Sequence, residues 1–314
     1  MRSSSRPAVS VVVSTCNRDR HLNIALRSLL NQSLPRTKFE VIVVDGSSTS
    51  RTRTICEKYE GITYIYEPRA GLSHARNIGW KAAKGKFVAY LDDDAIASHD
   101  WLEMIVQSFS MGGSCIGGKV LPYWEAPRPA WLTDNLLSGL SILDYKLPRH
   151  VLSKGEFLFG TNIALKRDIL EKIGGFRVDL GRSYSSSPRG LLGGEETDLQ
   201  NRLGSCGEKC VYDPAIVVTH TIQAQRLCKS WFIRHAFYQG VEKAIQEGRF
   251  LLRPGARIAA GLRELATVLK SAEILTGLVS HEAGTRLQAK CSVAVRLGHV
   301  YEMCSGKPVI DSVT

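Results

Sequence analysis

Three consecutive carboxylates, Asp92-Asp93-Asp94, end an apolar run of strand length, Lys86 to Leu91. Like charges packed this closely repel by roughly a few kcal/mol at the intermediate dielectric of a cleft, so a positive group must answer them. Oxygen ligation by few protein groups suits Mg²⁺ or Mn²⁺, which keep waters and take their other ligands from substrate phosphates. The plainer reading is a polar turn after a strand. A second acidic pair, Glu195-Glu196, opens a helical stretch, where acids also suit the helix dipole. His220 closes a late apolar run, where a lone histidine can be a buried structural residue.

The elements that must hold these residues can be read from pattern. Val9–Ser14, Glu40–Val44 and Ile62–Tyr66 are short and rich in β-branched residues, the mark of strands buried on both faces. Between them, residues 20–34 carry Leu22, Ala25, Leu26, Leu29 and Leu30 at helical spacing before Pro35, and 52–59 and 74–83 are also helical. Alternation of this kind predicts a doubly wound α/β domain in which Thr15, Asp45 and Asp92 all follow strand carboxyl ends, the edge where such sheets bind ligands. Neither a P-loop nor a Gly-x-Gly-x-x-Gly turn is present, so phosphates fall to a metal at Asp94 and to basic residues such as Arg69 or Arg76. Further on come a helix over 101–109, a strand over 115–121, and a Pro- and Trp-rich loop over 122–148 containing Trp124 and Trp131. A strand over 157–165 follows, then a helix from Arg167 to Ile173 that stops at Gly174-Gly175. Next are a mobile Ser/Gly stretch over 183–194 and short strands at 211–214 and 216–218.

The charge narrows the partners. An excess of 41 Lys and Arg over 30 Asp and Glu gives +11, which favours an anionic partner: nucleotide phosphates, nucleic acid or an anionic membrane. No nucleic-acid reading motif occurs, and none of that class is expected. From 226 to 314, 13 basic residues against 7 acidic ones put +6 of the total in a helical C-terminal region. There Leu262, Leu265, Val268 and Leu269 form one face and Arg263 and Lys270 the other. Such a helix either lies on an anionic membrane surface or packs on the main domain. No apolar run approaches the ~18 residues of a membrane span. Eight scattered cysteines and a chain start without an apolar core lead us to expect reduced thiols and a cytoplasmic protein, at most at the cytoplasmic face of a membrane.

The motif order resembles a known family over about residues 8–225. Val11-Val12-Val13-Ser14-Thr15-Cys16-Asn17-Arg18 and Val43-Val44-Asp45-Gly46-Ser47-Ser48 are followed by Ala75-Arg76-Asn77-Ile78-Gly79 and Tyr90-Leu91-Asp92-Asp93-Asp94. Gly174-Gly175-Phe176 and Gly194-Glu195-Glu196-Thr197-Asp198-Leu199 complete the series. This is similar to the family 2 glycosyltransferases of the GT-A fold. The resemblance implies an α/β, doubly wound mixed sheet in a 1–225 domain. Its 8–115 half would bind a nucleotide sugar and its 116–225 half an acceptor, with 226–314 as a helical extension.

It also implies an inverting transfer from a nucleotide diphosphate sugar, UDP by default, to a saccharide or lipid-linked acceptor. Asp45 would recognise the base, with Thr15, Asn17 and Arg18 in the same pocket and Arg76 and Asp93 also toward the nucleotide. Asp92 would face the ribose and Asp94 the metal, with Asp92 and His220 as further ligands. Glu196 sits at the usual general-base position. Many members have Glu-Asp where this chain has Glu195-Glu196, so Glu195 stays open as the base. Displacement at an anomeric carbon needs a base on one side and stabilisation of the leaving diphosphate on the other, which one carboxylate and one metal supply. A haloacid-dehalogenase-type phosphatase would place Asp-x-Asp near the chain start, and a nucleotidyltransferase would want a glycine-rich loop after the first strand. The different-class alternative is a non-catalytic nucleotide- or carbohydrate-binding protein of the same fold. The acceptor is expected between the 122–148 and 183–194 loops.

Overall fold

Four apolar runs become β1 (Val9–Thr15), β2 (Phe39–Asp45), β3 (Ile62–Tyr66) and β4 (Phe87–Leu91). In the computed structural model, which describes residues 6–47, 49–69, 71–183, 190–248 and 254–305, they pair in parallel in the order β3-β2-β1-β4. Helices α1 (Asp19–Leu30), α2 (Arg51–Cys56) and α3 (Leu72–Ala82) connect them. The face of α1 carrying Leu22, Ala25, Leu26 and Leu29 is fully buried, as its spacing predicts. Helix α3 sits directly on β1 because Gly79 has no side chain: a Cβ there would lie 2.2 Å from Val12 Cγ1. From β1 the chain builds outward to β2 and β3, then returns to the other side of β1 for β4. That reversal opens a crevice at the carboxyl ends of β1 and β4, where Thr15 and Asp92–Asp94 emerge.

The sheet continues with antiparallel strands. After β5 (Ala95–Ala97) and α4 (Trp101–Ser110) come β6 (Cys115–Trp124), β7 (His150–Val151) and β8 (Asn162–Lys166). Then follow α5 (Arg167–Ile173), α6 (Glu195–Ser205) and β9 (Cys210–Ile222). The full order is β3-β2-β1-β4-β8-β6-β9-β5, with β7 on β9. Buried Asn162 ties three of these segments together, donating to the Lys119 and Ile216 carbonyls and accepting from the Trp101 indole. A buried amide satisfied this fully adds specificity without a desolvation cost left over.

Three elements differ from expectation. The strand expected over 157–165 begins only at Asn162, because side chains take the backbone groups before it. The Tyr145 hydroxyl bonds both the N–H and the carbonyl of Phe157, and the Gln200 amide does the same for Leu158. The two short strands expected near 211–218 are one strand, β9, which runs through Pro214 while the Asp213 carboxylate accepts the Ala215 N–H. The triple aspartate is followed at once by β5, too short to read from pattern, and pairing sets Ala95 opposite His220.

The residues divide into two compact units, one of Met1–Tyr123, Ser141–Val178 and Glu195–Thr221, the other of Trp124–Leu140, Asp179–Gly194 and Ile222–Thr314. The second contains α7 (Lys229–Gln246), α8 (Pro254–Lys270), α9 (Ala272–Leu278) and α10 (Ala283–Ser305). Helices α7 and α10 cross at paired glycines. A Cβ on Gly240 would lie 1.8 Å from the Val295 carbonyl, and one on Gly298 1.8 Å from the Phe237 carbonyl. In the same unit Trp131, from the Pro- and Trp-rich stretch, packs edge-on against Phe232 of α7. Ser48, positions 184–189 of the Ser/Gly stretch, Arg249 and Arg253 lie outside the described residues.

Candidate active site

The carboxylates at the end of β4 are held in different ways. Asp93 points inward and is 4 % exposed, accepting from the Thr15 hydroxyl at 2.7 Å and from Arg18 at 3.1 Å. Burial pushes its carboxyl up to about 6, against the pull of Arg18. Asp94 accepts from the same Arg18 nitrogen at 2.6 Å on one oxygen, and its other oxygen lies 3.3 Å from His220 Nε2. The β5–β9 register creates that approach, since Ala95 opposes His220 and the Thr221 N–H donates to the Asp94 carbonyl.

Two donors in cis positions of an octahedral Mg²⁺ or Mn²⁺ at 2.0–2.1 Å sit about 3.0 Å apart, so the Asp94–His220 pair has the spacing of a two-ligand divalent site. Among the described residues no cluster of three or more metal-ligating side chains forms. An ion of this class needs only one or two protein ligands when phosphates and water supply the rest. Asp94 and His220 are the residues here that could hold such an ion.

The Asp92 carboxylate, 31 % exposed, faces the other way, to Arg76. Arg76 comes from α3 and is 2 % exposed, its guanidinium lying near the Tyr90 and Phe176 rings. It donates to Asp92 at 3.2 Å and to Glu195 at 2.8 Å, and stands 3.6 Å from Glu196. Of the acidic pair, Glu195 is buried at 2 % and Glu196 is 20 % exposed. Burial, and next the charge of Glu196, push the Glu195 carboxyl well above the usual carboxylate range, with Arg76 opposing. Glu196 accepts the Gly160 N–H at 3.1 Å.

Two sequence motifs interlock to hold Arg76. The Asn77 amide donates to the Phe176 carbonyl and accepts from its N–H, while Gly175, at φ 74°, leaves room for the Asn77 and Trp80 side chains.

The β2 end forms a separate corner. Asp45 is fully buried, one oxygen accepting from the Ser47 N–H and the other from the Tyr64 hydroxyl, each at 2.8 Å. Asn17, at φ 56°, donates its N–H to Ser47, so the turn after β1 is fastened to the turn after β2. Arg69 is bound through two nitrogens to Glu67.

Residues 10–174, just over half the chain, match the family model described as Glycosyl transferase family 2. The chain belongs to this family. The glucosyl-dolichyl phosphate glucuronosyltransferase of Haloferax volcanii is 26% identical over 308 residues, covering 93% of this chain and 95% of that protein. The succinoglycan biosynthesis protein ExoM of Rhizobium meliloti is 28% identical over 249 residues, 76% of this chain and 72% of its own length. Among solved structures, the mannosyltransferase PcManGT from Pyrobaculum calidifontis, in complex with GDP-Man and Mn²⁺, superposes with a TM-score of 0.60. It shares 22% identity and covers 93% of this chain and 87% of that one. The fold is therefore of the GT-A type, and this family 2 chain is a glycosyltransferase.

The structure gathers Thr15, Arg18, Asp93, Asp94 and His220 in one cluster and Arg76, Asp92, Glu195 and Glu196 in another, the two meeting at the Asp92–Asp94 run. Asp45 and Asn17 stand in the neighbouring corner. Sequence reasoning missed two residues of this candidate site. Gly160 donates to Glu196 and leaves room for Arg76. Gln200, one turn beyond Glu196, fixes the loop carrying Gly160 through Leu158 and also bonds the Glu196 carbonyl. Gly160 lies in an apolar run that reads as strand, so only its being a glycine there was a signal.

Proposed function

We propose that this family 2 enzyme transfers a sugar, with inversion, from a nucleoside diphosphate sugar to a hydroxyl of a saccharide or lipid-linked acceptor. Support comes chiefly from one observation: the half-buried carboxylate of Glu196 and the donor-side carboxylate of Asp92 are drawn together by buried Arg76 at the carboxyl end of the strand that also carries Asp94. Glu196 takes the acceptor proton as the acceptor oxygen bonds the anomeric carbon and the sugar–phosphate bond breaks, its electron pair leaving with the diphosphate. Asp94 and His220 would hold a divalent ion, which when bound would supply charge stabilisation for that leaving group. Asp92 faces the ribose. Thr15 and Asn17 shape the base pocket, and Asp45, buried with its oxygens paired to the Ser47 N–H and the Tyr64 hydroxyl, braces it, with UDP favoured as the donor nucleotide.

Calorimetric titration of UDP, GDP and dTDP, each with and without Mn²⁺, tests this reading. One diphosphate should bind in the presence of Mn²⁺, and Asp94→Ala should weaken it at least about tenfold. Binding of no nucleotide under any condition would remove the transferase mechanism.

For the acceptor, the relative acting on a dolichyl phosphate sugar supports a lipid-linked class. No described helix is long and apolar enough to cross a membrane. On α8 and just after α9, however, Leu262, Leu269 and Val279 are 64%, 74% and 78% exposed, with Arg263 and Lys270 of α8 also exposed. Only Leu265 and Val268 of the expected apolar face are partly covered. This mixed apolar and basic surface suits the headgroup region of an anionic membrane at the cytoplasmic face. Co-sedimentation with vesicles containing anionic lipid should exceed that with neutral vesicles, and Leu262→Glu with Leu269→Glu should abolish it. Equal pelleting with both vesicle types would count against the contact.

A further inference from the structure

We propose that Glu195 is a positioning residue that stays protonated in the resting enzyme and donates that proton as a hydrogen bond to Glu196, while Arg76 clamps its other oxygen. This rests on the reading of Glu196 as the general base, and it assigns the two members of the acidic pair different chemistry.

Charge counting favours it. One guanidinium faces three carboxylates, Asp92 from the β4 end and Glu195 and Glu196 from α6, so full ionisation would leave two uncompensated charges around a group 2 % exposed. Among the described residues, these other neighbours add no cation: Tyr90 and Phe176 face Arg76 with their rings, and the Gly160 loop offers an N–H. Asp198, the next acid of α6, is paired with Arg177 and Arg202.

The two oxygens of Glu195 differ. Oε1 accepts from Arg76 at 2.8 Å, whereas Oε2 is buried and receives no hydrogen bond among the described residues. An ionised oxygen without a donor is costly there, while a hydroxyl has an acceptor in the neighbouring glutamate. The raised affinity of Glu195 for its proton, from burial first and Glu196 second, agrees. Glu196 instead has a backbone N–H donor and more solvent. Two carboxyls in contact then behave as one pair sharing one proton, with the mobile charge on the exposed member.

The proposal has a signature in pH. Because Glu195 holds its proton above the usual range, that proton is lost only as pH rises. Its loss removes the donor to Glu196 and adds a charge beside it, so turnover should fall on the alkaline side. Glutamine keeps a donor and an acceptor but cannot ionise.

The experiment is transfer measured across pH for wild type, Glu195→Gln, Glu195→Ala and Glu196→Gln, with nucleoside diphosphate binding by calorimetry as the control for folding. Glu195→Ala should lower kcat by about 10²-fold, the scale for a misplaced catalytic group. Glu195→Gln should recover most of that loss and abolish the alkaline limb, with diphosphate binding kept in both. A Glu195→Gln enzyme as impaired as Glu196→Gln, or an alkaline limb that persists in it, would overturn the proposal. If Glu196→Gln itself retained transfer, the base assignment would fail instead, which is a separate outcome.

Discussion

Glu196→Gln should lower sugar transfer by about 10³-fold while changing nucleoside diphosphate affinity by no more than about twofold. The magnitude is that of losing a positioned general base. The separation of effects follows from geometry: Glu196 is the exposed member of the pair, and its nearest cation, Arg76, makes its close bonds to Glu195 and Asp92 instead. Glutamine still accepts the Gly160 N–H through its carbonyl, so the loop is not released. The assay is initial transfer rate against calorimetric affinity in one preparation. Donor binding that fell as much as transfer would place Glu196 in the donor site. A wild-type protein that binds a diphosphate and transfers to no acceptor would favour the non-catalytic binding alternative.

Gly160→Ala should be nearly as damaging, at a residue with no functional group. A Cβ there would lie 2.3 Å from Arg76 Nη2 and 2.6 Å from Glu196 Oε1, well inside van der Waals contact. Arg76 cannot swing aside freely, being enclosed by two rings and held by carboxylates from two elements. Either the guanidinium or the 158–160 loop must shift, and the loop is fastened by Gln200. Overpacking of this kind costs about 1–3 kcal/mol. Because the atoms displaced include the base itself, kcat should fall by about 10²-fold. Thermal melting and kcat measured together check it. A variant with unchanged melting and unchanged kcat would show that the loop yields and that the close approach has no role in positioning.

Much of this site could be read before any coordinates. Apolar runs of strand length ending in Thr15, Asp45 and Asp92 announce a parallel sheet with polar residues at one edge, since a strand buried on both faces has no other place for a carboxylate. The Asn77 and Gly175-Phe176 motifs were visible as motifs, though not as partners; the hydrogen bonds that lock them together run between distant parts of the chain. Arg76 offered itself as a phosphate contact by charge alone. Its burial between Asp92 and Glu195 depends on how α3 seats against β1, which Gly79 permits.

What the sequence by itself determined, then, is the local chemistry: which segments become β1–β4 and α1–α3, which carboxylates end them, and that Glu195-Glu196 begins a helix. These follow from short-range patterns of apolar and polar residues that each segment carries within itself. Only the tertiary structure decided the pairings. The β5–β9 register brought His220 to Asp94, the approach of Arg76 on α3 to the first turn of α6 gave it to Glu195 and left Glu196 the less buried of the pair, and the Gly160 loop acquired its place against both. Such relations depend on strand register and close approach between distant segments, and a residue's type reveals its neighbours only when the chain has folded around it.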